Sequence, residues 1–560
     1  MENKTIARTL RLLSQLMELH NENSFKVKSM AAAAFKIDKL PFSVAQKNLE
    51  EIEKIDSIGK STASKINELI KTGVIAELQS LFEKTPPGVV EIMSIKGLGP
   101  KKVLTIWNEL GIETVGELYY ACNENRLIEA KGFGFKTQEE IRKAIEFKIA
   151  SNGRFLYRQV EEIAEPLLLD LKKVLPGQLI SFTGDYRRKC EIVDGLDVLI
   201  GCPLNEDIIA KIHSLSFLSL IKTDGKRIES EHSTGIKIYL DFCGHEAFYS
   251  ELAWKTGTAE HLAELKSRLK EVPLVVSSEK DLYLKAGLPL IEPELREGRN
   301  EFELADKGML PKLVEWDDLK GTLHSHSTWS DGVHTLEQMA LYCRDKLGLE
   351  YMGISDHSKT AVYAKGLSEE RVLAQHQEID QLNGKISNFR ILKGIESDIL
   401  FDGSLDYPDE LLATFDFVIA SVHSAFKMNE EKATSRLIKA IENPYTTILG
   451  HPTGRLLLSR KGYPINYEKV IDACAANQVI IEINSNPLRL DIDWRWHQYA
   501  LEKGVMLSIN PDAHSIKGFH DTHFGILAAR KGGVSASNCL NALNLEAITA
   551  YLKQKRGIKA

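Results

Sequence analysis

The sequence predicts a multidomain α/β protein that begins with helices and ends in a β/α barrel, and three observations lead there. Residues 1–150 carry three glycine turns between helical stretches, DSIGKSTA, SIKGLGPKK and AKGFGFKTQ. From about residue 319 onward, seven short apolar runs alternate with amphipathic stretches such as HTLEQMALYCRDKL and NYEKVIDACAANQ. Six of those seven runs lead into imidazole or carboxylate side chains: LKGTLHSH, YMGISDH, FRILKGIES, FDFVIASVHS, TTILGHP and VMLSINPDAHS, but not QVIIEINS. Parallel β/α barrels assemble their sites at the carboxyl ends of their strands, so alternation and ligand placement support each other.

At 560 residues the chain exceeds what one core organises, and 43% hydrophobic with 27% charged residues is ordinary for a globular protein. No apolar run is long enough to span a membrane and MENKTIARTL lacks a signal-peptide core, so the expected location is the cytoplasm, with no membrane partner. The seven cysteines (122, 190, 202, 243, 343, 474, 539) are scattered without CxxC spacing, which fits reduced thiols. A net charge of −7 gives no global nucleic-acid signal, and residues 1–150 lean basic only slightly, 22 Lys and Arg against 20 Asp and Glu. Any contact with nucleic acid must therefore come from local placement of cations and backbone amides.

The three turns offer such placement. Gly59 with Lys60, Gly97 and Gly99 with Lys101 and Lys102, and Gly132 and Gly134 with Lys136 sit where a tight turn opens a new helix. Amides at a helix start face outward with the positive end of the helix dipole, which suits a backbone phosphate. One such turn need only join two helices; three within 80 residues look like the helix-hairpin-helix motif of sequence-independent DNA binding.

In the carboxyl-terminal part the candidate metal ligands are His324, His326, Asp331, His357, Glu396, His423, His451, Asp512 and His514. Imidazole and carboxylate hold zinc, manganese or iron, whereas a lone HxH, SDH or GHP is more often an ordinary polar pair. Nine ligands exceed what one ion with an open position needs, and Glu396 is the candidate bridge. His324, His326 and Glu396 are the candidate catalytic centre, with Arg455, four residues after His451, as a bidentate phosphate holder.

HSHSTWSDG, SDH, GIE, SVH, GHPTGR and PDAH resemble the successive motifs of the PHP (polymerase and histidinol phosphatase) family from about Leu319 to Lys555. That resemblance implies a seven-stranded distorted barrel holding three divalent ions, manganese, zinc or iron, and acting on phosphate esters. The order of the glycine turns, TGDYRRKCEIVDGLDVLIG, WKTGTAEH and LYLKAGLPLIEPELREGRNEFELA resembles bacterial family X DNA polymerases, polymerase-beta-like enzymes joined to a PHP domain. It implies an 8 kDa-type helical domain over 1–80, a fingers-like helix-hairpin-helix domain over 81–150, a nucleotidyltransferase-like palm over 151–250, a thumb and linker over 251–315 and the hydrolase over 316–560. Lys65 falls where that family carries the amine that attacks an abasic sugar; the alternative is a solvated helix lysine.

The palm departs from the family pattern. Polymerases of this kind hold two magnesium ions with three aspartates, two as D-x-D on one strand, because residues i and i+2 share a face. Here the stretch reads Asp194-Gly195-Leu196-Asp197, so Asp197 keeps one position and Gly195 empties the other. Tyr239 stands at the third, Asp241 where an arginine is usual, and Asp185 replaces the serine that contacts the nucleotide triphosphate, beside a retained Gly184, Arg187 and Arg188. These substitutions argue against magnesium at the palm; the competing reading makes Asp194, Asp197 and Asp241 a displaced triad.

Together these features imply a metal-dependent phosphoesterase of the 3′-5′ exonuclease type acting on gapped or 3′-recessed DNA, with a silent polymerase site. The alternatives are an active family X polymerase with proofreading, and a small-molecule phosphatase resembling histidinol phosphatase. The glycine turns speak against the last.

Overall fold

The structure, a computed structural model, describes residues 1–557 except 129, 151–152 and 216–217, with the backbone alone at 147–150 and 220–221. The described chain falls into two compact units, Met1–Glu146 and Phe147–Ala560. The first is helical throughout. Its opening helix, Asn3–Leu19, buries Ile6, Leu10, Leu13 and Met17, a spacing of three and four residues that makes one apolar stripe. That stripe packs on the next helix, Ser24–Asp38, whose start is capped by Asn23 accepting from the Phe25 N–H at 2.9 Å. The helices Lys60–Thr72, Pro100–Asn108 and Phe135–Ala150 each begin directly after one of the three glycine turns.

In the second unit, a mixed five-stranded sheet comes first: β1 (Ile180–Phe182), β2 (Leu196–Ile200), β3 (Leu218–Asp224), β4 (Arg227–His232) and β5 (Lys237–Phe242), in spatial order β1-β2-β5-β4-β3. Only β2 and β5 run parallel. Short helices follow, among them Ala259–Arg268, Glu279–Lys285 and Glu301–Asp306, closing over Leu265, Leu282, Tyr283 and Ile291.

The chain then forms seven parallel strands in sequential order, β6 (Gly321–Thr322), β7 (Tyr351–Ile354), β8 (Arg390–Asp398), β9 (Phe417–Ser421), β10 (Ile448–Leu449), β11 (Ile480–Asn484) and β12 (Leu507–Asn510). All seven apolar runs read from the sequence become strands. The ring nearly closes where the segments after β6 and β12 meet, with the His326 N–H donating to the Ala513 carbonyl at 2.9 Å. Strands buried on both faces read as mainly apolar, as FVIAS and IIEIN do. Within this unit the barrel is tied to the sheet region by Trp494 Nε1 donating to Glu191 at 2.9 Å and by Arg530 Nε donating to Glu294 at 2.8 Å.

Two glycines let the barrel close on an aromatic core. Phe417 is buried, and a Cβ at Gly394 would lie 2.2 Å from its Cζ and 2.5 Å from the Ile354 carbonyl oxygen; at Gly353 the ring would be 2.6 Å away. Gly394→Ala should destabilise the barrel by about 1–3 kcal/mol, as overpacking does. The check is the thermal unfolding midpoint, and Phe417→Leu in the same chain should recover part of the loss.

Candidate functional site

The strand-end positions converge on one buried cluster. Glu396, inside β8, is ringed by four imidazoles: His451 Nε2 lies 2.9 Å from Oε1, His423 Nε2 3.1 Å and His324 Nε2 3.3 Å, while His357 Nδ1 lies 3.0 Å from Oε2. Asp331 sits 3.5 Å from both His357 Nε2 and His514 Nε2, and Asp512 Oδ1 3.1 Å from His326 Nε2. Three groups with ligand atoms within 4.8 Å of one another take in all nine candidates: His326, Asp331, His357 and His514; His357, Glu396 and His423; His324, His451 and Asp512. A fourth, His324, His326 and Glu396, bridges them.

The donor set fits divalent cations. His324 Nε2, His326 Nδ1, Asp331 Oδ2 and His451 Nδ1 are buried without hydrogen-bond partners, a costly state for polar atoms unless something positive lies between them. Burial alone would raise the carboxyls of Asp331, Glu396 and Asp512, but the surrounding imidazoles outweigh it and hold all three well below the usual range. Burial, then the neighbouring rings of His514 and His357, pushes His326 down to about 3, leaving a neutral ring suited to ligation. Two ligands sit in left-handed backbone, His451 at φ 23° and Asp512 at φ 54°, so the loops hold them there against local preference.

Sequence reasoning passed over the carboxylates behind the ligands. Glu482, in the one run scored as lacking a ligand, is fully buried and accepts from His324 Nδ1 at 2.6 Å and from the His451 N–H at 2.8 Å. Asp398 holds His423 Nδ1 at 2.5 Å. Asp356 gathers the Ser327 N–H at 2.8 Å, Ser327 Oγ at 2.7 Å and Gln375 Nε2 at 2.6 Å, bracing the loop that carries Asp331. For Glu482 the available signal was a lone acidic residue in a mainly apolar strand.

Arg455 requires a correction. Its guanidinium is spent on its own turn, with Nη1 on Asp493 at 2.6 Å, Nε on the Arg489 carbonyl at 2.9 Å and Nη2 on the Leu490 carbonyl. The arginine whose charge reaches the cluster is Arg489, buried, which reinforces burial in lowering the His451 imidazole.

On the five-stranded sheet, Asp197 pairs in register with Tyr239 and Leu199 with Asp241. Arg227 grips both Asp241 oxygens, at 2.7 and 2.8 Å, and Lys255 adds a contact of 3.0 Å. Asp241 is therefore neutralised by two side-chain cations, which speaks against the competing reading of a displaced triad. Asp194 lies outside the strand, mostly exposed, 3.5 Å from Arg154, and does not join a triad. Gly195 and Tyr239 are one substitution in space: a Cβ at Gly195 would meet the Tyr239 ring at 3.1 Å. Asp185, expected to repel a triphosphate, is instead paired with Arg188. Arg188 also binds Glu297 at 2.9 Å and the Thr256 carbonyl at 2.7 Å, and Arg187 binds Glu279 at 3.0 and 2.5 Å. Gly184 takes φ +60° beside Asp197, so it supports the turn.

The three amino-terminal turns superimpose in their bonding. Ile58, Leu98 and Phe133 donate their N–H to the residue three back at 3.0, 3.1 and 3.1 Å, and the carbonyls of Gly59, Gly99 and Gly134 accept the first helical bond at 2.9, 3.0 and 3.0 Å. Gly97 and Gly132 take φ near +90°, and in the first turn Ser57 takes φ 69° in their place. A Cβ on Gly59, Gly97, Gly99, Gly132 or Gly134 would touch nothing within 4 Å, and Lys60, Lys101 and Lys136 are exposed while Lys102 is half-buried. Lys65 bonds Glu77 at 3.0 Å, so its neighbour is an anion, not the cation that activation of an amine would use.

Fold and site together define a helix-hairpin-helix protein that carries a nucleotidyltransferase-like sheet and a PHP-type barrel with a candidate multi-metal cluster. Residues 1–75 match the helix-hairpin-helix domain family and residues 89–146 the SAM-like helix-hairpin-helix tandem family. Over 99% of its length the chain is 35% identical to the DNA polymerase/3′-5′ exonuclease PolX of Bacillus subtilis (strain 168), covering all of that protein. It thus belongs to the PolX family, the bacterial family X DNA polymerases fused to a PHP domain. The barrel part is also 28% identical to a probable phosphatase of Thermoanaerobacter sp. (strain X514), over 42% of this chain and 97% of that one. A probable phosphatase of Acetivibrio thermocellus is 29% identical over 34% of this chain and 78% of its own.

Glu482→Gln keeps the shape of the buried side chain but removes the charge that orients His324. Divalent-metal affinity should fall about 10- to 100-fold with the fold intact. Metal retained during dialysis against graded chelator, alongside circular dichroism, measures this; unchanged retention would deny Glu482 its orienting role.

Proposed function

We propose that the chain is a DNA-processing enzyme whose barrel hydrolyses phosphodiesters from the 3′ end, and whose polymerase-like sheet is silent. The observation that carries this is the grouping of nine candidate ligands, Glu396 among them, in a chain whose amino-terminal unit repeats one hairpin turn three times. The domain limits we adopt are 1–80, 81–150, 151–250, 251–315 and 316–560. The metal set is three divalent ions, with manganese as the supporting ion we favour, held by His324, His326, Asp331, His357, Glu396, His423, His451, Asp512 and His514.

When bound, divalent ions supply Lewis acidity, acidifying a water and neutralising phosphate oxygens. The chain's own part is placement. Glu482 and Asp398 fix the tautomers of His324 and His423, Asp356 fixes the loop of Asp331, and Arg489 brings positive charge near His451. The substrate we assign is gapped or 3′-recessed duplex DNA, gripped through its phosphates by Gly59-Lys60, Gly97 to Lys102 and Gly132 to Lys136. Lys65, paired with Glu77, we read as a helix-surface lysine. Among the described residues no helix is long and apolar enough to cross a membrane.

His324→Ala or Glu396→Ala should abolish digestion of a labelled 3′-recessed duplex in manganese while circular dichroism stays unchanged. Digestion at the parent rate by a nuclease-free Glu396→Ala preparation would sink the assignment.

The sheet is read as silent because Asp241 is already neutralised by Arg227 and Lys255, and Gly195 and Tyr239 offer Asp197 no second carboxylate. Losing two of three metal-holding carboxylates removes several kcal/mol of transition-state stabilisation, more than about a thousandfold in rate. Gapped-duplex extension is measured with the Glu396→Ala protein so that digestion cannot mask synthesis. Extension at ordinary polymerase rates, abolished by Asp197→Ala, would overturn the reading.

A further inference from the structure

Isolated exposed apolar side chains are ordinary on proteins and call for no explanation. The ones beside this cluster differ because each is held next to a ligand by an anchored loop. Val362 is 80% exposed and Tyr363 38%, and the Tyr363 ring lies 6.2 Å from the His357 ring, inclined by 59°. Val333, 48% exposed, donates its N–H to the His514 carbonyl at 3.0 Å. His357 and His514 are themselves neighbours, their rings 6.2 Å apart. Apolar surface therefore stands at two adjacent ligands of the group that includes Asp331.

The loop bearing Tyr363 is not a loose tether. Thr360 donates its N–H to Asp406 at 2.7 Å and its hydroxyl lies 2.7 Å from Asp398, the carboxylate that also orients His423. The Leu367 N–H returns to the His357 carbonyl at 2.8 Å, and Gly366 packs so closely that a Cβ there would lie 1.9 Å from the Ser358 oxygen. Both ends of the loop are thus pinned to residues around the cluster, and its apolar tip stays in water.

We infer that Tyr363, next to Val362 on the same loop and with Val333 at the neighbouring ligand candidate His514, forms a stacking subsite for the nucleobase of the 3′-terminal nucleotide. This rests on the proposed nuclease reading and gives it a substrate class. A phosphate at the cluster leaves its nucleoside one sugar away, and the base needs a flat apolar face that accepts any of the four bases. A tyrosine ring beside a metal-ligand histidine offers that face, whereas a small polar phosphate monoester has no use for it.

The test uses DNA with 2-aminopurine at the 3′ terminus, bound in chelator so that nothing is cut. Terminal fluorescence should be quenched by the parent protein and by Tyr363→Phe but not by Tyr363→Ala, with 2-aminopurine at an internal duplex position unaffected. In manganese, Tyr363→Ala should raise KM about tenfold on ordinary 3′ ends and leave ends carrying an abasic terminal sugar unchanged. Equal quenching by Tyr363→Ala and the parent, or an equal slowing on base-bearing and abasic ends, would overturn the subsite. If the parent quenches yet cuts nothing, the nuclease reading fails and the stacking surface stands; if it cuts and Tyr363→Ala behaves like it, only the subsite fails.

Discussion

One buried carboxylate organises the carboxyl-terminal half of this protein. Glu396 projects from the longest barrel strand into a ring of four imidazoles with nitrogens 2.9 to 3.3 Å away, on four different elements. Carboxylate oxygens and imidazole nitrogens are brought together out of water, where the carboxylates outweigh burial and hold His324, His357 and His423 above the ordinary imidazole range, positive charge that a bound cation would replace. The donors are braced from behind. Glu482, Asp398 and Asp356 each bind a ligand candidate or its loop, so the chain's own side chains fix where those donors point.

The five-stranded sheet solves the same problem in the opposite way. There the charges around Asp241 and Asp185 are met by Arg227, Lys255 and Arg188 from the chain itself. A carboxylate neutralised by a side-chain cation is stable without a metal and is correspondingly poor at recruiting one. Arg187, Arg188, Glu279 and Glu297 have become ties between the sheet region and the helices after it, so the sheet holds the barrel's neighbourhood in place. Gly195 and Tyr239 fit each other so closely that restoring one carboxylate alone meets an aromatic ring.

The amino-terminal unit relies on backbone. Its three turns repeat one hydrogen-bond pattern although the residue with positive φ is glycine in two and serine in the first. Open space above the glycines leaves the start of each following helix uncrowded.

Much of this was legible in the sequence for reasons of period and position. Parallel strands buried on both faces must be runs of apolar residues, metal-capable side chains of a barrel gather near the ends of such runs, and glycine turns between helices announce themselves by spacing; the nine candidate ligands and the three turns were visible that way. What sequence could not decide was which charges meet. Arg455 looks like a phosphate holder four residues after His451, yet its turn folds back onto Asp493 and two carbonyls. Glu482 looks like a stray acid in an apolar strand, yet the barrel puts it against His324, 158 residues away. Asp241 reads as a displaced ligand until the sheet register sets Arg227 opposite it. Local sequence determines period, capping and turn geometry because those interactions span a few residues; charge pairing across strands and loops is set by the tertiary fold, where partners distant in the chain compete for the same carboxylate.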